Sequence, residues 1–115
     1  MTWNVPGSSL TVTVEPQVLW TIVRVSGELD IESRADFDNR LFALIRAARE
    51  PRICVDLANL AFCDSPGMAC LVRAWRASQE RGGTLVLLRP GTRLARKLMV
   101  MGLDRVLTVV NDLPC

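Results

Sequence analysis

A chain of 115 residues has the length of one domain, and with half its residues hydrophobic and 23% charged it carries the composition of a packed core, which excludes a disordered chain. A formal charge of +2 spread along the sequence excludes a nucleic-acid binder of the usual basic kind. The absence of histidine removes imidazole as a base or metal ligand.

Met1 to Pro6 has neither the basic nor the apolar region of a signal peptide, and no apolar run approaches the ~18 residues of a membrane span. The protein is therefore expected in the cytoplasm, without direct membrane insertion. Residues 1–8 are expected to be a loose segment ahead of a single domain with its core at about 10–112. Leu10, Val12 and Val14 alternate with Thr11 and Thr13, the period-2 pattern of a strand with one wet face. Glu15-Pro16-Gln17 turns the chain. Val18 to Val25 predicts a second strand, antiparallel to the first and ended by Ser26-Gly27-Glu28-Leu29-Asp30.

Ser33 is placed as a helix N-cap, with Asp36 three residues on approximating a capping box. Phe37, Leu41, Leu44, Ile45 and Ala48 then share one helical face, which ends before Pro51. Ile53 to Leu57, apolar apart from Asp56, reads as a strand covered on both faces and paired in parallel. Pro66 opens the next helix, whose apolar face is Met68, Leu71, Val72 and Trp75 and whose stop is Gly82-Gly83. Thr84 to Leu88 is another covered strand. Gly91-Thr92 starts a third helix with Leu94, Leu98 and Met101 on one face, ended by Gly102, and Val106 to Val110 forms a last strand. The order β-β-α-β-α-β-α-β predicts a single α/β domain: a mixed, mostly parallel sheet of about five strands flanked by three to four helices, with the first strand as an antiparallel edge.

In such a sheet, ligands and partners meet the loops after the strand C-terminal ends. Three loops qualify: Gly27 to Asp30, Asp64 to Gly67, and Arg89 to Thr92. In the second, Ser65 suits an N-cap, Pro66 suits the first helical position, and Gly67 leaves the surface bare at the positive end of a helix. Asp30 is a solvated loop-tip carboxylate unless it faces the Ser65 loop, when the two form one polar patch. Arg93, Arg96 and Lys97 read as a solvated helix face.

Catalysis finds no support. A serine nucleophile needs a base, there is no histidine, and nothing in the spacing pairs Ser65 with Lys97, the single lysine. The acidic pair of a phosphoacceptor aspartate is missing, and no G-x-x-x-x-G-K-[ST] or G-x-G-x-x-G loop occurs. The expectation is a non-enzyme with no cofactor. The four cysteines form no C-x-x-C pair, so no metal site is expected either. Cys54 and Cys70 read as small buried hydrophobes, Cys63 as a candidate redox thiol beside the turn, and Cys115 as terminal and exposed. Trp3 and Trp20 near the edge strand could feed self-association, giving a monomer or weak dimer.

Four segments in this order, Gly27-Glu28-Leu29-Asp30, Asp64-Ser65-x-Gly67 before a helix, Gly82-Gly83 before a strand, and Leu-x-x-x-Gly-Leu over Leu98 to Leu103, resemble the STAS domain, in its branch of bacterial anti-sigma factor antagonists. The resemblance covers roughly residues 10 to 112. It implies a mixed sheet flanked by helices and a regulatory role in transcription by partner switching. The implied partner is an anti-sigma factor that is also a histidine-kinase-like serine kinase. Docking on it frees a sigma factor; phosphorylation of the antagonist at the helix N-terminus adds about −1.5 to −2 charge and breaks the complex. The implied partner-binding set is Asp30, Asp64, Ser65, Pro66, Gly67 and Met68. In the family pattern Asp-Ser-(Ser/Thr)-Gly the acceptor is the second hydroxyl residue, where this chain has Pro66; Ser65 is the candidate acceptor that remains. The alternative is a non-catalytic STAS scaffold, or an accessory subunit of a stress-signalling or transport complex.

Overall fold

A computed structural model describes residues 1–113. They form β1 (Thr2–Asn4), β2 (Thr11–Pro16), β3 (Thr21–Leu29), α1 (Arg34–Ala47), β4 (Arg52–Cys63), α2 (Ser65–Glu80), β5 (Thr84–Leu88), α3 (Thr92–Val100), a 3-10 turn over Leu103–Arg105, and β6 (Thr108–Val110). The strands lie side by side in chain order, β1-β2-β3-β4-β5-β6. The first three are antiparallel and the last four parallel.

This order decides where the helices go. Each right-handed crossover from β3 onward advances in the same direction, so all three helices fall on one face of the sheet. The main core bears this out: Phe37, Leu41 and Ile45 of α1, Met68, Leu71 and Ala74 of α2, and Leu94 and Leu98 of α3 pack on Val23, Val25, Val55, Leu57, Leu85 and Leu87. The opposite face carries a smaller cluster of strand residues, Ile22, Cys54, Val86 and Leu88, with Trp20 just ahead of β3. No helix covers it. The Arg52 guanidinium stacks 4.8 Å from the Trp20 ring, and Arg24 bridges Glu15 at 3.1 Å and Asp56 at 3.0 Å, with Arg89 at 3.7 Å from the same Asp56. Long side chains with apolar stems and wet heads thus shield the second face of β4 and β5. The expected cover on both faces is corrected in that respect: the strands are apolar on both sides, but one side is closed by side chains instead of helices.

Other expectations are corrected too. The sheet has six strands, not about five, because the N-terminal segment expected to be loose supplies β1. Thr2, Trp3 and Asn4 pair with Thr13, Val12 and Thr11, and the Met1 ammonium donates to the Val14 carbonyl at 3.1 Å. The antiparallel edge is therefore β1, not β2. The third strand starts at Thr21; Val18 and Leu19 are exposed in a turn closed by Gln17 N–H donating to the Trp20 carbonyl at 2.8 Å. The last strand is only Thr108–Val110, and Met101 is half exposed beyond α3. The expectation for Cys115 lies outside the described residues.

One difference shapes the rest of the molecule. β4 does not stop at Leu57 but runs on to Cys63, paired with β3 as far as Leu29↔Cys63. β5 accompanies it only from Arg52 to Asp56.

Candidate functional site

The long β4 carries Asp64 up to the end of β3 and joins two of the loops marked by sequence. Asp64 N–H donates to the Leu29 carbonyl at 3.2 Å, and Arg34 N–H donates to the Asp30 carbonyl at 2.9 Å. An Arg34 guanidinium nitrogen lies 3.9 Å from the Asp64 carboxylate, which ties the start of α1 to the start of α2. The two loops thus adjoin through their backbones and through Arg34, while the Asp30 carboxylate accepts from Glu32 N–H at 3.0 Å within its own turn. Arg34 was missed, since only the β3–β4 register brings it there.

The cap differs from expectation. Asp64, not Ser65, is the N-cap of α2: its carboxylate accepts from Gly67 N–H at 2.7 Å, and its backbone is extended. Ser65 and Pro66 are the first two helical residues, both exposed. A carboxylate at a helix N-terminus satisfies an orphan donor and meets the positive dipole end. Gly67 is buried, and a Cβ there would lie 3.0 Å from the Leu29 carbonyl, from Cys63 Sγ and from the Asp64 carboxylate that holds it. The bare surface expected at Gly67 is instead a closed contact that seats α2 on β3. Met68 is fully buried in the main core. Gly67 and Met68 are corrected as partner-contact residues, because the helix phase turns both inward. What remains accessible is Ser65 and Pro66, flanked by half-buried Asp30 and Asp64.

Ser33 begins α1, but its hydroxyl makes no cap bond. It accepts from Asp30 N–H at 3.1 Å and donates to the Glu28 carbonyl at 2.9 Å, which closes the β3–α1 turn. Lys97 is not a solvated cation. Its ammonium donates to the Cys63 carbonyl at 3.1 Å and sits 5.0 Å from the Phe62 ring.

Cys63 is buried, and desolvation, reinforced by the Asp64 charge and opposed by Lys97, pushes its thiol up to about 12. Burial likewise raises Cys54 to about 11, and raises Cys70. Cys54 and Cys70 are the buried small side chains expected. The reactive form of a thiol is the thiolate, and burial at Cys63 disfavours it. A testable consequence follows from composition, since the chain has no tyrosine and one lysine. The fold favours neutral thiols, so above pH 9 the folded state holds more protons than the unfolded one, and stability falls with rising pH. Urea midpoints should hold steady to the ordinary thiol range and then decline between about pH 9 and 12, less steeply in Cys63→Ala. A flat profile in the wild type contradicts this.

Among the described residues no cluster of three His, Cys, Asp or Glu side chains could hold a metal, and no helix is long and apolar enough to cross a membrane. What the site offers is a capped helix start with an exposed hydroxyl and an exposed proline ring.

Known proteins share this architecture. The family model described as "Mlab, STAS domain" matches residues 12–110. The anti-sigma-B factor antagonist of Bacillus subtilis is 28% identical over 87 residues, 76% of this chain and 78% of that protein. The anti-sigma F factor antagonist of Paenibacillus polymyxa is 25% identical over 91 residues, 79% of this chain and 78% of that one. The crystal structure of an anti-sigma factor antagonist from Mycobacterium paratuberculosis has a TM-score of 0.82 at 22% identity, covering 96% of this chain and 92% of that one, a likeness of fold. With its sheet order, its capped α2 turn and a family match spanning nearly the whole sequence, the chain belongs to the STAS domain family.

Proposed function

We propose that the chain is an anti-sigma factor antagonist that binds an anti-sigma factor of the serine-kinase type through the start of α2 and so releases a sigma factor. The observation that carries this reading is the exposed Ser65-Pro66 pair. It is held from beneath by the Asp64 cap and the closed Gly67 contact, and flanked by the Asp30–Arg34 loop. The relatives named as antagonists support it. Proteins with no catalytic base can still act by being bound, and a preorganised loop binds at lower entropic cost than a mobile one.

The switch is altered in this reading. The hydroxyl that would accept a phosphoryl group at position 66 is absent, because Pro66 stands there. The complex therefore persists in the presence of Mg-ATP. Capture of the partner, followed by incubation with Mg-ATP and intact-mass measurement, should show the antagonist unmodified and still bound. Stoichiometric phosphate that disappears in Ser65→Ala contradicts the constitutive reading and transfers the acceptor role to Ser65. Capture of a transporter ATPase in place of an anti-sigma factor contradicts the antagonist role itself.

A further inference from the structure

We propose that the docking surface does not end at Pro66 but extends over the unpaired edge of β4 to α3, where it takes an acidic segment of the partner protein anchored by one apolar side chain. This rests on the docking role proposed above and names the chemistry the partner must bring.

The surface arises from the mismatch in strand lengths. β4 pairs with β3 as far as Cys63, but β5 leaves it after Asp56. On that side residues 58–62 have no strand neighbour among the described residues, and Ala58, Asn59, Ala61 and Phe62 are exposed. Helix α3 lies across the gap, held by the Lys97 hydrogen bond to the Cys63 carbonyl. Between them opens a cavity of about 50 Å³, lined by Leu60, Phe62, Cys63, Arg93, Leu94 and Lys97. That is room for the end of one aliphatic side chain. Phe62 is 43% exposed at its rim, a large apolar group whose ring also meets the Lys97 ammonium at 5.0 Å.

The charge around the cavity is of one sign. From Arg89 to Leu103 the sequence holds Arg89, Arg93, Arg96 and Lys97 and no carboxylate. Arg89 reaches Asp56, and Lys97 is occupied at Cys63. Arg93 and Arg96 have no ion-pair partner among the described residues. Exposed aromatic and arginine side chains around a small pocket are the residue types that dominate binding energy at protein interfaces. Carboxylates opposite Arg93 and Arg96 would add steering and register. The occupant is a protein segment and not a lipid surface on two grounds. The patch has a cavity at its floor, which suits a single side chain, and it is continuous through Cys63 and Asp64 with the proposed docking turn.

The test is amide NMR of the full chain, titrated separately with a synthetic peptide alternating glutamate and leucine, its lysine–leucine counterpart, and phosphatidylglycerol vesicles. The acidic peptide should shift Phe62, Cys63, Gly91, Arg93 and Leu94, and the basic one should not. Arg93→Glu and Phe62→Ala, both at exposed positions and both checked for an unchanged remaining spectrum, should each weaken the effect by about tenfold. Absence of those shifts overturns the proposal, as does binding to vesicles alone. The second arm uses the captured anti-sigma partner. If wild type binds it and Ser65→Glu does not, while Arg93→Glu and Phe62→Ala stay within about twofold of wild type, the extended surface is overturned and the docking turn survives. If no anti-sigma factor binds, both fall together.

Discussion

Gly27→Ala is expected to destabilise the fold by about 3–5 kcal/mol, a large part of the ~5–15 kcal/mol that holds a domain of this size together. Two independent penalties add at this residue. Its φ of +94° lies where residues with a Cβ are strained, and a Cβ would stand 2.3 Å from the Ser9 carbonyl oxygen and 2.8 Å from its carbon. Both atoms are backbone at the entry to β2, so neither can swing aside as a side chain would. The position also coincides with an irregularity in the β3–β4 register between Gly27 and Glu28, where the strand must bend. A urea midpoint lowered by roughly 1–3 M with an unchanged slope is the expected result. A shift below about 0.5 M shows that the β2 entry relaxes freely.

Gly83→Ala is the second large effect, about 2–4 kcal/mol, and its cause is different. Gly83 has no positive φ, but its Cβ would lie 2.0 Å from the Pro51 carbonyl oxygen and 2.7 Å from the Pro51 nitrogen. The turn from α2 into β5 lies directly on the turn from α1 into β4, and Thr84 N–H donates to the same Pro51 carbonyl at 2.8 Å. The neighbouring Gly82 is the built-in control. Its φ is +75° with open space around a Cβ, so Gly82→Ala carries only the backbone penalty of about 1 kcal/mol. Equal midpoints for the two alanine variants contradict the close-approach account.

These two glycines show how motif residues divide between architecture and function. Gly27 and Gly83 carried part of the family resemblance, yet the structure gives both a packing reason and neither touches the exposed turn. Legibility followed range. The helices and the central strands could be read because their periodicity is local: Phe37, Leu41 and Ile45 mark α1, and Thr84 to Leu88 marks β5. β1 was illegible because three residues carry no period and its pairing is with β2. The second half of β4 was illegible because Ala58-Asn59-Leu60-Ala61-Phe62 has weak strand character, and long-range pairing with β3 makes it extended. At the site, the turn itself could be read, but its phase could not. Asp64 and Ser65 are equally good caps, and the helix starts one residue earlier than expected, which moved the cap to Asp64, while Met68 lies in the core beside Leu71 as the apolar face of the helix predicted. Arg34, Phe62 and Lys97 needed the register of β3 on β4 and the placement of α3, which no local pattern encodes.

The second face of the sheet follows from the same topology. Strand order that never reverses leaves no switch point and no crevice between oppositely directed crossovers. Among the described residues the strand C-terminal ends therefore carry a ridge of loops and helix starts, which accords with binding as the proposed activity.

In the proposed function Ser65 and Pro66 lie within the partner interface. That placement is tested most directly by the affinity of the captured anti-sigma factor for wild type and for Ser65→Glu, measured by calorimetry on the two purified proteins. Because the side chain at 65 is exposed and makes no contribution to the cap, Ser65→Glu should fold with near wild-type stability. A carboxylate buried without a partner at the interface should weaken binding by about 100-fold. Wild-type affinity in Ser65→Glu would place the interface elsewhere and contradict the account.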